Sequence, residues 1–554
     1  MSPTTDDPLG AAAPLLAALD REFSTVVAGV AQACSRDGQL RADLLDARQL
    51  VCYELALAKA DLLAADATLR AAPGLDALDA RLGALCIADA VSSVLARLTA
   101  IAIELGLALD GLDALACDAA QRAFQRDAAS GPVLARIGAA VAAPGSEPGR
   151  VAMDESLAIT QESFRRFAAE VVAPLAEEIH RRDLTVPETL LGPLREMGVF
   201  GLSIPERHGG SRPDDRDDTP LMLVVTEALS EASLAAAGSL ITRPEILTKA
   251  LLKGGTAEQK AKWLPPIAAG EVMVGVSVTE PDTGSDVASL SCRAEPAERD
   301  GAKGWVVNGA KAWCTFAGRA NVLALLARTD PNPNRGAKGL SLFIVPKDTF
   351  PGHAFEMRQP NGGALTGKAD ATPGYRGMHS FTLMFDNYFV PGENLIGGEG
   401  GVNKGFYLQM AGFAAGRLQT GGRATGLAQA ALQRTAEYAN DRKQFGKPIG
   451  QYGLTQYKLG RMATHIAAGR QLTYAAARAM DADETIALEP AMAKLFASDV
   501  AVWVTQEGQQ LHGGWGYAEE FPISRYVVDA TVLPIFEGVK PILELKVIAR
   551  NLLG

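Results

Sequence analysis

The hydrophobic residues of this 554-residue chain change period twice along its length. Apolar side chains recur every three or four residues up to about residue 270 and again from Gly405 onward, as they do on helices that face a core. Between these stretches, short segments rich in Val, Ile, Phe and Thr are separated by turn residues, which is typical of strands. The blocks do not alternate as βαβ units. The order therefore predicts an α+β chain, mainly helical, with one antiparallel β-domain.

Four segments follow from this pattern. The stretch AAPGSEPGR is rich in Pro, Gly and Ser, and such composition is typical of a boundary between domains. We predict an N-terminal helical extension over 1–148, a second helical domain over 149–273, a β-domain over 274–398 and a C-terminal helical domain over 399–554. The extension is rich in Ala and Leu, its periodicity predicts about four or five helices, and it holds no cluster of His, Cys or paired acids. A packing or assembly role is therefore favoured for it.

Charge and cysteine usage argue against several classes of protein. The formal net charge is -11, which argues against a nucleic acid or an anionic membrane as partner. The six cysteines have no CxxC spacing, which favours free thiols in a reducing compartment and no metal site. The start, MSPTTDDPLG, lacks the features of a signal peptide. The most apolar long segment is interrupted by Asp89, Arg97 and Glu104, so a buried helix is favoured over a membrane span. We expect a cytoplasmic protein.

Several common sites have no counterpart in the sequence. The glycine-rich stretch GGEGGVNKG follows a Pro-containing loop rather than a strand, so it does not predict a Rossmann dinucleotide site. A Walker A motif, an HExxH metal motif and the nucleophile elbow of serine hydrolases are also missing from the sequence. The chemistry must therefore come from other residues.

The loop VSVTEPDTGSD carries hydroxyls at Thr279, Thr283 and Ser285, and Gly284 allows close approach of the backbone. Such a loop after a strand can donate hydrogen bonds to the polar edge of a ring or to a phosphate. A turn stabilised by its own Asp and Thr side chains is an equally good interpretation of the stretch taken alone.

Two further stretches have chemistry that suits a flat, phosphorylated ligand. In NGAKAWCT, strand alternation predicts that Trp313 and Thr315 share a face, although half-buried strands often carry Trp. In NDRKQFGKPIGQYG, Arg442, Gln444 and Phe445 lie at the predicted end of a helix. The arginine could bind a pyrophosphate, or the cluster could simply be solvated.

Near the end of the chain, LPIFEGVKPILE places Glu537 in a loop before the last predicted helix. A carboxylate at this position is usually solvated or caps the helix. It could also serve as a general base if apolar neighbours enclose it.

Together with the stretch from Gln510 to Arg550, these motifs resemble the acyl-CoA dehydrogenase family, over about residues 151–554. The resemblance implies a helical domain, a central β-domain and a C-terminal four-helix domain. It also implies FAD bound across a subunit interface, an acyl-CoA substrate and an electron-transfer flavoprotein as electron acceptor. Family members usually form tetramers, and we expect a homodimer or homotetramer here.

The resemblance assigns roles to individual positions. It places FAD contacts at Thr279, Gly284, Ser285, Trp313, Thr315, Arg442, Gln444, Phe445, Gln510, Gly513 and Gly514. The catalytic glutamate of the family falls on Glu537. Some members carry the base on an earlier helix, immediately before an arginine, and here that position is Gly416 beside Arg417. Glycine cannot accept a proton, which favours Glu537.

Three positions depart from the family pattern. Val539 stands where the family has Thr, and Pro541 where it has Gln, so some contacts with FAD are expected to be missing or replaced. Ala414 stands where many members have an Asp that contacts the CoA arm. The details of CoA docking are therefore expected to differ.

The extra N-terminal domain, the long loop LTGKADATPGYRGMHSF and the segment FYLQMAGFAAGRLQTGGRA resemble members that oxidise (2S)-methylsuccinyl-CoA to mesaconyl-CoA in the ethylmalonyl-CoA pathway. A short dicarboxylic substrate needs a cation for its free carboxylate, and Arg243 and Arg376 are candidates. Ser285 and Arg417 complete the expected substrate contacts. Other readings are a different short or branched acyl-CoA substrate, an acyl-CoA oxidase, or a DNA-binding flavoprotein of the same superfamily.

Overall fold

The computed structural model describes residues 8–360, 362–483 and 488–554. Most of the start MSPTTDDPLG, for which no signal peptide was predicted, lies outside the described residues. The chain forms two compact units. The first comprises Met1–Ile159 with Thr420–Gly554, and the second comprises Thr160–Gln419. Helices, helices, strands and helices follow one another along the chain. The predicted fold class is confirmed, whereas the four-segment division remains a prediction.

The N-terminal part of the first unit is a helical bundle with one small hairpin. Its elements are α1 (Ala12–Ala33), β1 (Ser35–Arg36), β2 (Gln39–Leu40), α2 (Ala42–Asp46), α3 (Gln49–Ala71), α4 (Ala77–Leu105), α5 (Asp110–Cys117), α6 (Ala119–Ala129) and α7 (Gly131–Val141). The sequence analysis expected only four or five helices. Short helices were merged in that estimate: Asp118 caps α6 by accepting a hydrogen bond from the N–H of Gln121, and Pro132 opens α7.

By length and composition, α4 could cross a membrane, but 56% of its most apolar window is buried within the protein. Asp89, in the middle of α4, forms an ion pair of 2.6 Å with Arg461 of a C-terminal helix. A charge pair at mid-helix is costly in lipid and is readily accommodated between packed helices. The helix is therefore the central core helix of the bundle.

The segment 142–150, predicted as a domain boundary, is held at its end by the helices around it. The carboxylate of Asp79 in α4 accepts hydrogen bonds from the N–H groups of Gly149 (2.6 Å) and Arg150 (3.1 Å). Arg470 of a C-terminal helix donates to the carbonyl of Gly149 at 2.6 Å. The end of this segment therefore ties the N-terminal bundle to the C-terminal helices.

The second unit begins with helices. They are α8 (Glu155–Phe167, which starts in the first unit), α9 (Ala173–Arg181), α10 (Glu188–Glu196), α11 (Thr219–Ala232), α12 (Thr242–Gly254) and α13 (Ala257–Ala268). A capping box between Thr256 and Gln259 starts α13. Apolar residues of α12 and α13, such as Leu251 and Leu264, share one core with the strands that follow. The β-domain is thus covered by helices of the same unit.

The β-domain contains strands β3 (Val274–Ser277), β4 (Arg293–Arg299), β5 (Ala302–Thr315), β6 (Val322–Arg328), β7 (Leu340–Pro346), β8 (Ala354–Arg358), β9 (Ala364–Ala369) and β10 (Ser380–Pro391). The sheet order is β3-β6-β4-β5-β10-β9-β8, and β7 pairs with β6. The β-domain is largely antiparallel, as predicted, but β3 pairs with β6 in parallel, with Val274 opposite Val322.

The prediction of one long loop after β8 was partly wrong, because this stretch contains strand β9. Leu365 and Gly367 of this strand are buried, and Phe355 of β8 lies so close to Gly367 that any side chain there would clash with it. The glycine and threonine that allow this packing made the strand resemble a loop in the sequence.

The C-terminal helices follow the β-domain. Their elements are α14 (Gly405–Asp441, which spans both units), β11 (Lys443–Gln444), β12 (Lys447–Pro448), α15 (Gly453–Ala482), α16 (Leu488–His512), α17 (Ile523–Ala530), α18 (Lys540–Ile542) and α19 (Arg550–Leu553). Wider helical turns over Leu543–Ala549 join α18 to α19. Ala549 and Leu553 belong to the apolar core of the N-terminal bundle. The last helix therefore packs against the N-terminal bundle.

Candidate active site

The loop after β3 combines a fixed base with an exposed tip. Thr279 is half-buried, and its carbonyl accepts a hydrogen bond of 2.8 Å from the N–H of Ala312 in β5. Gly284 and Ser285, at the tip, are exposed. The nearest atom to a Cβ placed on Gly284 would be 3.8 Å away, so the space in front of this loop is open. The tip can therefore present its backbone and hydroxyl donors to a ligand.

A buried ion pair holds the base of this loop. Glu280 lies 2.9 Å from the ammonium group of Lys311, and both side chains are almost completely inaccessible to solvent. The Glu280 carboxylate also accepts hydrogen bonds from the N–H and hydroxyl of Ser291 and from the N–H of Cys292. Lys311 donates in addition to the carbonyl of Val278. Both ends of the loop are thereby fixed to β5.

The same interactions lower the pKa of Glu280. Burial alone would raise the pKa of Glu280, but the charge of Lys311 and the hydrogen bonds from Ser291 and Cys292 outweigh it and hold the pKa below 4.5. The carboxylate is therefore ionised at neutral pH and remains paired. Neither Glu280 nor Lys311 was singled out in the sequence analysis, although a lysine within the half-buried strand NGAKAWCT was an available signal.

Trp313 and Thr315 do not follow the regular alternation that the sequence analysis assumed. The pairing of β5 with β10 shifts between Lys311–Leu383 and Cys314–Phe381, so β5 carries a bulge at this point. Trp313 has φ 57° and is 59% exposed, whereas Thr315 is buried and its hydroxyl lies 3.1 Å from that of Ser380. The bulge turns the indole outward, next to the anchored end of the β3 loop.

Glu537 lies in a tight loop of the first unit, between α17 and α18. Its φ is 53° and that of Gly538 is 101°, so two consecutive residues have left-handed backbone. Such backbone is uncommon for a residue with a side chain and is concentrated at functional sites. The Glu537 side chain is half-buried. The prediction that Glu537 precedes the last helical segment is confirmed.

Cations flank this loop on two sides. The fully buried Arg423 lies over the ring of Phe536, with its guanidinium carbon 4.6 Å from the ring centre, and donates to the hydroxyl of Thr420 at 2.7 Å. On the other side, the buried ammonium group of Lys494 donates to the carbonyl of Gly538 at 2.8 Å. The sequence analysis missed both residues. Lys494 could have been noticed as the one lysine in the otherwise apolar run PAMAKLFA.

The remaining predicted FAD contacts of the first unit are exposed at one end of α14 and α16. Arg442, Gln444 and Phe445 belong to the β11–β12 hairpin, and Phe445 is 96% exposed with φ 50°. Gln510, Gly513 and Gly514 lie exposed at the end of α16.

The two groups are connected through one stacked pair. The Tyr438 ring lies 4.3 Å from that of His512, and the Tyr438 hydroxyl donates to the His512 carbonyl at 3.0 Å. The N–H of Arg442 in turn donates to the Tyr438 carbonyl at 2.8 Å. The fold therefore brings these two predicted groups together.

The three predicted substrate arginines differ in their surroundings. Arg243, on α12, is only 5% exposed, and its one hydrogen bond among the described residues goes to the carbonyl of Ser239 at 3.2 Å. Arg376 donates to the carbonyls of Thr372 and His180 and lies 3.4 Å from a carboxylate oxygen of Asp183. Its charge already has a partner within the protein.

Arg417 is half-buried on α14, beside the buried Gly416. Gly412, one turn earlier on the same helix, packs directly against the backbone of Ile246 in α12. The α14 segment that carries Arg417 therefore packs against the helix that carries Arg243.

One group of side chains in the described residues could hold a metal, although the sequence analysis predicted none. Ligand atoms of Asp183, His353 and His379 all lie within 4.8 Å of one another. His379 Nε2 is 3.0 Å from an Asp183 oxygen, and the same oxygen lies near the guanidinium of Arg376. Asp183 thus contacts both Arg376 and His379, and these two contacts hold the loop before β10.

The residues of each unit fit the flavin that the sequence resemblance implies. The open glycine at the tip of the β3 loop, the exposed indole of Trp313 and the buried hydroxyl of Thr315 suit a flat, polar-edged ring. The exposed hairpin with Arg442 suits a phosphate. These residues would hold FAD by donor hydrogen bonds, stacking and charge.

Comparisons with known proteins identify the family of the chain. Three family models match the chain: "Acyl-CoA dehydrogenase, N-terminal domain" over residues 154–271, "middle domain" over 275–388 and "C-terminal domain" over 403–553. The (2S)-methylsuccinyl-CoA dehydrogenase of Cereibacter sphaeroides is 44% identical over 405 residues, which cover 73% of this chain and 71% of that protein.

Two solved structures show the same fold. Butyryl-CoA dehydrogenase from Megasphaera elsdenii has a TM-score of 0.66 and 29% sequence identity. The match covers 73% of this chain and 100% of that chain. A glutaryl-coenzyme A dehydrogenase in complex with glutaryl-CoA has a TM-score of 0.64 and 30% sequence identity. The match covers 72% of this chain and 95% of that chain. The chain therefore belongs to the acyl-CoA dehydrogenase family and is an FAD-dependent oxidoreductase.

Proposed function

We propose that the protein oxidises (2S)-methylsuccinyl-CoA to mesaconyl-CoA, with Glu537 as the base that removes the α-proton. The 44% identity to a methylsuccinyl-CoA dehydrogenase supports this substrate. The structural observation that carries it is the state of Arg243. A substrate with a free terminal carboxylate would supply the ion pair that this arginine lacks among the described residues.

The argument from Arg243 is energetic. A guanidinium taken out of water costs several kcal/mol unless a carboxylate or good hydrogen bonds compensate it. Arg243 is 5% exposed and donates to one backbone carbonyl, whereas the nearby Glu245 is bound by the side chain of Gln419. A bidentate carboxylate from the substrate would match the donors of the guanidinium. An acyl group without a second carboxylate would leave this cost uncompensated.

The base must be a carboxylate that can approach the α-carbon of the thioester. A positioned general base contributes about 10²–10⁴-fold to rate. The loop backbone of Glu537 is fixed by the bond from Lys494 to Gly538, and Phe536 beside it is held under Arg423. We propose that Thr279, Gly284, Ser285, Trp313 and Thr315 orient the flavin ring. FAD held by these residues would supply the acceptor for the hydride that leaves the β-carbon.

Further parts of the proposal rest on the family resemblance and on the composition of the chain. We propose an electron-transfer flavoprotein as electron acceptor and a homodimer or homotetramer as the working assembly, with Arg442, Gln444, Phe445, Gln510, Gly513 and Gly514 reaching the FAD of a neighbouring subunit. We also propose a place in the ethylmalonyl-CoA pathway and a cytoplasmic location. Arg417 and Ser285 are proposed to contact the CoA ester.

The experiment is anaerobic bleaching of the flavin absorbance by a panel of CoA esters. The panel contains (2S)-methylsuccinyl-, succinyl-, glutaryl-, isobutyryl-, butyryl- and octanoyl-CoA. The proposal predicts that methylsuccinyl-CoA bleaches the flavin fastest and that the product is mesaconyl-CoA. A preference for butyryl- or octanoyl-CoA would overturn the substrate while leaving the family unchanged.

A second measurement separates a dehydrogenase from an oxidase. Turnover is compared with oxygen as the sole acceptor and with an electron-transfer flavoprotein or an artificial dye under nitrogen. The proposal predicts fast turnover only with the flavoprotein or the dye. Equal turnover with oxygen, accompanied by hydrogen peroxide, would identify an oxidase.

A further inference from the structure

The N-terminal extension lies outside all three family matches, yet it contacts the segment that follows Glu537. The matches begin at residue 154. Within the first unit, Ala549 and Leu553 near the chain end are buried in the core formed by α1, α3 and α4 of the extension. Lys546 also lies 3.2 Å from Asp46 of α2. The extension therefore supplies part of the surface against which the last helix packs.

Helix α3 makes the closest approach to this segment. Ala56 and Ala60, one turn apart on α3, are buried in a cluster with Leu543 and Ile548 of the last helical segment. The same cluster contains Ala491, Met492 and Leu495 of α16. Residues four apart lie on one face of a helix, and two alanines there allow the helices to pack closely. This α3 face thus contacts the helical segment that follows the Glu537 loop and one turn of α16.

The turn of α16 in this cluster also carries the residues that hold the loop. Lys494 lies between Ala491 and Leu495, and its ammonium group donates to the carbonyl of Gly538. One turn later, Asp499 forms an ion pair of 2.6 Å with Lys540. Gly538 and Lys540, which closely follow Glu537, are therefore both held by residues of α16.

We propose that the N-terminal extension is a positioning element for Glu537, acting through the α3 face that contains Ala56 and Ala60. A shift of α3 would move the α16 turn with Lys494 and the segment 543–548 together, because all three belong to one packed cluster. Packed interiors transmit such displacements, since they contain little free volume. The inference rests on the proposed role of Glu537.

The experiment uses enlargement of small residues on two faces of the same helix. Ala60→Leu, with Ala60→Val as a milder variant, places extra atoms against the cluster. Ala58→Leu is the matched control, because Ala58 is buried on the same helix but belongs to the core of the N-terminal bundle and not to the cluster that contains Leu543 and Leu495. For each full-length protein, FAD content, melting temperature, kcat, KM and the pH profile of kcat are measured with the preferred CoA ester.

The proposal predicts that Ala60→Leu lowers kcat about 10- to 100-fold, as misplacement of a catalytic group by roughly 1 Å does, with KM and FAD content within about twofold of the wild type. The pH profile of kcat should shift, because the surroundings of the base change. Ala58→Leu should lower the melting temperature by a similar amount and leave kcat and the pH profile unchanged.

Equal kcat in the Ala60 variants and the wild type would overturn the proposal. A fall in kcat that is the same in Ala58→Leu would also overturn it, because the effect would then follow stability alone. If Ala60→Leu does not fold, Ala60→Val decides by the same criteria. Glu537→Gln separates the two hypotheses: normal turnover in that variant would remove Glu537 as the base, whatever the Ala60 variants show.

Discussion

Glu280 and Lys311 form an ion pair of 2.9 Å in which both side chains are buried, and this pair fixes the loop that carries Thr279, Gly284 and Ser285 to strand β5. Three donors from Ser291 and Cys292 satisfy the rest of the carboxylate. Removing one partner would leave an uncompensated charge in the interior. The proposed flavin loop therefore depends on two residues that carry no reactive role themselves.

Lys311→Met is expected to destabilise the protein by about 3–5 kcal/mol, the usual cost of breaking a buried pair from one side. Bound FAD should fall with it, because the loop loses its anchor. Thermal unfolding and the flavin absorbance per protein measure the two effects. Lys303→Met in the same strand is the control, since Lys303 is exposed. Equal stability and FAD content in both variants would contradict the role of the pair.

The pH dependence of stability should contain a contribution from Glu280. Its pKa is held below the ordinary value of 4.5 in the folded protein. A depressed carboxyl pKa stabilises the fold fully above the unfolded-state value, and this stabilisation is lost as the pH falls through the folded-state value. Urea unfolding should therefore show a loss of stability below about pH 4.5 that is smaller in the double variant Glu280→Gln/Lys311→Met. If the stability of both proteins falls equally with pH, Glu280 does not make this contribution.

Gly138 marks the closest approach between α7 of the extension and α15. A Cβ at this position would lie 1.8 Å from the carbonyl oxygen of Gln456, which is backbone and cannot rotate away. Gly138→Ala is expected to lower the melting temperature by several degrees, since a clash in a packed interface typically costs about 1–3 kcal/mol. Gly131→Ala in the same helix is the control, because nothing lies within 4 Å of its Cβ. The contact is unimportant if both variants melt alike.

Arg243→Met should change substrate preference more than it changes folding. The variant removes the buried cation, so the terminal carboxylate of the bound substrate would have no partner. The loss of one member of a buried charge pair costs about 2–5 kcal/mol of binding free energy. The kcat/KM for methylsuccinyl-CoA should therefore fall at least about tenfold, while that for butyryl-CoA stays the same or rises. Steady-state kinetics with both esters give the ratio. A parallel loss for both esters would place the terminal carboxylate elsewhere.

Much of the fold followed from the hydrophobic period of the sequence, and the exceptions have local causes. Strand β9 was missed because Gly367 must be small to admit Phe355. The parallel pairing of β3 with β6 depends on contacts between segments far apart in the chain, which no local pattern encodes. Trp313 was placed correctly in a strand, but the bulge that turns it outward arises from its pairing with β10.

The candidate site divides in the same way. Glu537 was predicted as the base because the family resemblance places the catalytic glutamate at this position, and its left-handed backbone is compatible with that role. Lys494, Arg423 and Lys311 were missed because their importance lies in their partners, which come from other elements. Arg376 was a reasonable candidate by sequence, whereas in the fold its guanidinium is paired with Asp183.

The most direct measurement is anaerobic stopped-flow reduction of the flavin by (2S)-methylsuccinyl-CoA in the wild type and in Glu537→Gln. The glutamine keeps the size and polarity of the side chain and removes its ability to take a proton. We expect both proteins to contain stoichiometric FAD, and we expect flavin bleaching in the variant to be slower by about 10²–10⁴-fold. Bleaching of Glu537→Gln at a near-normal rate would contradict the assignment of Glu537 as the base.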